Sequence, residues 1–229
     1  MTVSTPRLAP FDPAAVRTVY APAVTRPALP GLADLASALA EAAHRPGVLV
    51  TVDPGLEDGA LIHHADGCGP TPRVVVGAAL LDDGDRLAGV LAHEIAHHAL
   101  DHGTGAVQAW AVASYLAAGT ALATAAIGVI RPPYLIASAV AAVVAALAYL
   151  VAAACRRLEE YDADTYSVRL LDEVGLDGRA AAEAALAAIP DDPWWYRTVG
   201  WIAGSHPTAA ARRRNLATGR WARPRAAWR

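Results

Sequence analysis

Two long stretches of this chain contain no charged residue: Ala106 to Ile130 and Tyr134 to Cys155. No other feature limits the fold so strongly. A helix rises ~1.5 Å per residue, so each stretch can reach across a hydrocarbon core of ~30 Å. Both are apolar all round rather than striped, which is the pattern of lipid-facing helices. Arg131-Pro132-Pro133 between them predicts a hairpin turn. Trp110, Tyr134 and Tyr149 fall toward the segment ends, as interfacial aromatics do. Ala117, Gly119 and Ala123 offer small side chains for close helix packing. Much of both stretches is alanine, which drives insertion poorly. A soluble, self-associating helical hairpin is therefore the competing reading.

An even number of spans returns the chain to its starting side. Arg156-Arg157 follows the second stretch directly, and the N-terminal portion carries further arginines, whereas the hairpin tip has only Arg131. The positive-inside bias then places both flanking parts in the cytoplasm, as a multi-pass protein of the cell membrane. The formal net charge is -3, so no global basic field exists for nucleic acid. All 19 basic residues are arginine. Cys68 and Cys155 lie far apart in unlike segments, which is no disulfide framework and fits a reducing compartment. No basic start followed by an apolar core opens the chain, so no secretory signal is expected.

Five segments follow from these patterns. Residues 1–30 are a Pro/Arg-rich arm, because proline at that density blocks regular helix. Residues 31–104 form the first half of a folded domain. In it Leu32, Leu35, Ala36, Leu39 and Ala43 recur at helical spacing until Pro46-Gly47. Val48–Val52 reads as a strand, Ala60–His63 as a possible short one, and Val74–Val76 as another. Leu80 to Asp85 is a turn with N-cap candidates. His63, His64 and Cys68 match no metal-site spacing and read as loop residues. Residues 105–155 are the hairpin, 156–218 the second half of the domain, and 219–229 a basic tail. Within the second half, 178–189 reads as an Ala-rich helix ending at Pro190. Trp194, Trp195 and Trp201 then cluster, as core packing, an interfacial anchor or a wall of a cleft.

The chemistry is carried by His93-Glu94-Ile95-Ala96-His97, inside the helix-favouring run Leu87–Leu100. Positions i and i+4 share one helical face, so His93 and His97 can present two imidazoles to one metal ion. Glu94 beside them can act as base toward a metal-activated water. A zinc ion so held needs a third protein ligand and an open position. Residues 156–164 read R-R-L-E-E-Y-D-A-D. Glu160 and Asp164 are again i and i+4. This points to Glu160 as ligand and Asp164 as the carboxylate behind it, accepting from an imidazole N–H, that of His93. Glu159 is the rival ligand, with Ala163 instead of an acid four residues on.

The stretch 73–102, a Val-rich strand and turn followed by RLAGVLAHEIAHHALDH, resembles the HtpX-like membrane metallopeptidases. These are gluzincins related to the CAAX-prenyl proteases. His102 matches a further histidine common in that family. Arg157, Glu160, Ala163 and Asp164 match the family's R-x-x-E-x-x-A-D segment, and Ser205-His206-Pro207 with Arg212 resembles its SHP…R segment. The resemblance implies an α+β, mostly helical, zincin-like domain with a small β-sheet, interrupted by a two-helix transmembrane hairpin. It implies a Zn2+-dependent endopeptidase whose partners are protein or peptide substrates and the lipid bilayer, with a role in protein quality control. It also implies His206 or Arg212 as oxyanion donors. A substrate is expected to lie extended beside Val74–Val76, bound through backbone hydrogen bonds. Thr208 stands where the family has a second proline, and the family's N-A-F-like segment is absent. A membrane sensor that binds peptides without cutting is the reading from another class; retention of Glu94 speaks against it.

Overall fold

The computed structural model describes residues 31–45, 48–53, 60–63, 73–190, 193, 196, 204 and 206–219. The arm 1–30, His64, Cys68, Trp194, Trp195, Trp201, Ser205 and the tail beyond Gly219 lie outside the described residues. The chain divides into two compact units. The first holds the described residues up to Leu100 together with Ala163–Ile189. The second holds Asp101–Asp162 and the segment from Pro190.

The first unit opens with helix α1 (Leu32–Ala42), which buries Leu32, Leu35 and Leu39 on one stripe. Strands β1 (Leu49–Asp53), β2 (Ala60–His63) and β3 (Arg73–Gly77) form a three-stranded sheet in the order β1-β3-β2. β1 runs parallel to β3, with Val50 beside Val74; β2 runs antiparallel, with Ile62 beside Val74. His63 thus ends a strand instead of lying in a loop. β3 is the central strand and is paired on both sides, so no extended peptide can add to Val74–Val76. Among the described residues, the strand edges without a sheet partner belong to β1 and β2, which corrects the expected substrate position.

A 3-10 turn (Ala78–Asp82) leads into helix α2 (Gly84–Ala99). Asp83 is its N-cap, its side chain accepting from the Arg86 N–H at 3.2 Å. α2 turns Leu87, Leu91 and Ile95 into a core shared with Leu39, Val50, Val76, Leu80 and, from the long helix described below, Tyr166 and Leu170. Leu91 and Ile95 are fully buried, each contributing about 1.5–3 kcal/mol of transfer free energy. Helix α5 (Gly178–Ala187) lies against α2 so closely that a Cβ at Gly89 would run into the Ala181 carbonyl. α5 is N-capped by Asp177, which accepts from Ala180 N–H at 2.9 Å.

The second unit contains the hairpin. Helix α3 (Ala106–Gly128) and helix α4 (Tyr134–Glu173) flank the turn at Arg131–Pro133. α4 is one unbroken helix of 40 residues. The second apolar stretch and the acidic run 156–164 are therefore a single element, which continues into the first unit beyond Asp162. Helices α3 and α4 meet through small residues: Ala121 from α3, and Ala145, Ala148 and Ala152 from α4, are buried. The Ser114 hydroxyl donates to the Ala145 carbonyl at 3.1 Å, and the Ser138 hydroxyl to Ala121 at 2.8 Å. Gly128 allows close approach of Leu135 at the turn. Of the small residues expected at the seam, Ala117 is partly buried on the face of Ser114 and Ala121, whereas Gly119 and Ala123 face outward. Helix α6 (Ala209–Thr218) closes the described chain, with Thr208 as N-cap at 3.1 Å from Ala211 N.

Candidate metal centre

In the first unit, α2 carries His93 and His97 one turn apart on the side away from the Leu91–Ile95 core. Their Nε2 atoms stand 3.1 Å apart and the rings are nearly perpendicular, at 86°. Two imidazoles sharing one tetrahedral zinc at ~2.0–2.1 Å hold their nitrogens roughly 3.3 Å apart, so this spacing suits a common ion. His93 Nδ1 lies 3.1 Å from Asp164 Oδ1 on α4. The carboxylate is an acceptor, so the ring carries its proton on Nδ1 and turns a lone pair on Nε2 outward. Asp164 is only 3% exposed, so water competes little for that bond. At the C-terminus of α2 the Arg45 guanidinium donates to the Ala99 carbonyl at 3.4 Å, a cation at the negative end of the helix dipole. Glu94 is half-buried on the same helix.

In the second unit, Glu160 is 6% exposed and both of its oxygens are engaged. The His206 ring donates from Nδ1 to Oε1 at 2.9 Å, and Arg212 donates from a terminal nitrogen to Oε2 at 3.1 Å. The hydrogen bond to Glu160 raises the His206 pKa above the ordinary imidazole value, against burial, which lowers it. His206 and Arg212 thus grip a carboxylate. Both contacts are to the residue expected as the third metal ligand. Their position is fixed by local bonds that the sequence did not reveal. Arg157 donates to the Gly204 carbonyl at 2.7 Å, and the Tyr196 hydroxyl donates to the His206 carbonyl at 2.8 Å. Glu159 points to another task, accepting from the Gly103 N–H at 3.1 Å. That bond holds a turn in which Asp101 and Gly103 both adopt positive φ.

Each unit therefore gathers its own set: His93, His97 and Asp164 in the first, and Glu160, His206 and Arg212 in the second. Glu160 and Asp164 are one turn apart on α4. Their Cβ atoms project from the same face of an unbroken helix. The members of the second set were each singled out in the sequence by resemblance, but nothing in sequence spacing pairs Arg212 or His206 with Glu160.

The sequence model of peptidase family M48 matches residues 31–219 of this chain. No match was found among curated proteins or among solved structures.

Proposed function

The chain belongs to peptidase family M48, and from that premise we propose that it is a zinc-dependent, membrane-bound endopeptidase with His93, His97 and Glu160 as metal ligands. The observation that carries the reading is the His93–Asp164 bond of 3.1 Å on a helix that presents Glu160 one turn earlier. By donor type, His93, His97 and Glu160 could hold a metal ion. Two neutral imidazoles and one carboxylate suit zinc and leave a position for water. When bound, zinc lowers the pKa of water and polarises the scissile carbonyl.

The remaining work falls to side chains of this chain. Glu94 accepts the proton of the attacking water and returns it to the leaving amine. Asp164 keeps the His93 ring in one tautomer and direction. Arg212 and His206 hold both Glu160 oxygens, which limits rotation of that carboxylate. The substrate lies extended along a sheet edge, β1 or β2, and binds through backbone hydrogen bonds. The membrane part of the reading is supported by two helices long and apolar enough to cross a bilayer. Their large side chains face outward: Leu116 is 68% exposed, Leu122 74% and Ile136 73%. The arginine distribution favours a cytoplasmic site. By family resemblance, misfolded membrane proteins are the substrates.

The test is zinc content per mole beside turnover of one quenched peptide, for wild type and Glu94→Gln. The amide cannot accept a proton, and a positioned base contributes ~10²–10⁴-fold. Zinc should stay near-stoichiometric while cleavage falls at least ~100-fold. Wild-type turnover with zinc bound would remove Glu94 from the mechanism.

A further inference from the structure

We propose that the base of the hairpin carries a binding site for the phosphate group of a phospholipid, with Arg156 as its cation. The inference rests on the membrane reading above and adds a specific ligand site to it. Helix α3 supplies Ser114 and Tyr115, and α4 supplies Tyr149, Ala152 and Arg156, to one cleft between the two helices. On α4 these positions are spaced by three and four residues, so they line a single face. The cleft exists because its floor is alanine, whose side chain ends at a methyl group. It measures about 50 Å³, several times the roughly 10–15 Å³ that one water needs, so a phosphate and its oxygens have room.

Arg156 and Arg157 are neighbours with different roles. Arg157 donates to the Gly204 carbonyl at 2.7 Å. Among the described residues Arg156 makes no hydrogen bond or ion pair, and it is exposed. The Ser114 hydroxyl is engaged with the Ala145 carbonyl. The positive charge of the cleft is therefore that of Arg156, and its planar fork suits two oxygens of one phosphate.

Depth selects the source of that phosphate. Arg156 lies about 23 residues beyond Pro133, or ~34 Å along the helix, against a hydrocarbon thickness of ~30 Å. With the tip at one surface, Arg156 emerges just past the other, at the level of the headgroups. Trp110 lies about 20 residues, or ~30 Å, before the turn, at the same level, where amphipathic rings collect. Tyr115, which lines the cleft, is 78% exposed, so on the membrane reading lipid can reach the cleft from the side. A lipid phosphate arrives at this place held by its own chains, whereas a free phosphate must leave water to enter.

The test uses full-length protein in detergent, exchanged into micelles containing dioleoylphosphatidylglycerol. Bound lipid per protein is read by native mass spectrometry for wild type, Arg156→Gln and Arg131→Gln. The two variants lose the same charge, each near a membrane surface. Arg156→Gln should retain the lipid ~5-fold less strongly, while Arg131→Gln should match wild type. Equal retention in wild type and Arg156→Gln, or equal losses in the two variants, would overturn the site. Inorganic phosphate at 10 mM should displace little lipid; complete displacement would mean that the cleft takes free phosphate and the lipid assignment is wrong. Alkaline carbonate extraction of membranes separates the two levels of the argument. Release of wild type by carbonate refutes the membrane reading, whereas resistance to carbonate with unchanged lipid retention in Arg156→Gln refutes this site alone.

Discussion

Helices α2 and α3 are both rich in alanine, yet they place their apolar surface in opposite ways. In α2 the large side chains form a stripe: Leu91 and Ile95 are fully buried, and the opposite side carries His93 and His97. In α3 the apolar residues go all round, and Tyr115, Leu116 and Leu122 stand exposed while mainly small residues meet α4. The first pattern is that of a helix solvated on one side, the second that of a helix whose outer surface needs a non-aqueous environment. A stripe leaves a face available for chemistry. An unstriped helix has no such face, and the hydroxyls within the hairpin, such as those of Ser114 and Ser138, are spent on backbone carbonyls.

This contrast can be broken most directly by matched truncations. Leu91→Ala should cost about 2–5 kcal/mol, the usual range for emptying a leucine site in a packed core. Leu122→Ala in detergent should stay within ~0.5 kcal/mol, as for surface changes. Chemical unfolding of both variants, followed by circular dichroism, checks the pair. An equal loss at Leu122 would mean that α3 packs against protein, and the hairpin would then read as a soluble, self-associating element.

The next effect sharpens the chemical side of α2. Asp164→Asn keeps the shape but weakens the acceptor behind His93, and should reduce zinc affinity ~10–100-fold. A chelator competition titration measures it. Unchanged affinity would show that the His93 ring is oriented by something other than Asp164.

The smallest expected effect concerns neighbouring acids on α4. Glu159→Gln retains an amide oxygen that can accept from Gly103, so stability should fall by no more than ~1 kcal/mol, with zinc and turnover kept. Loss of zinc in this variant, and its retention in Glu160→Gln, would reverse the ligand choice and the helical register on which it rests.

The elements most legible in the sequence were those specified by local pattern. The stripe Leu32–Leu35–Leu39 and the turn at Asp83 mark α1 and the start of α2, and the charge-free runs mark the hairpin. The β-branched runs mark β1 and β3, but not their order. Strand order depends on which edges meet, and that is decided by side chains distant in sequence. The expectation of a substrate beside Val74–Val76 failed for this reason. Likewise Gly119 and Ala123 were small enough to pack, but the helical phase chosen by Ser114, Ala121 and Gly128 turned them outward.

By itself the sequence determined the spacing of His93 and His97, that of Glu160 and Asp164, and the family, because an i,i+4 relation on one helix needs no other part of the chain. Only the tertiary structure decided that α4 runs without a break from the hairpin turn to Glu173. It alone brought Asp164 to His93, and His206 with Arg212 to Glu160. These contacts join residues separated by about 50–70 positions, and closing such loops is compensated only by burial and bonds that exist once the units have formed.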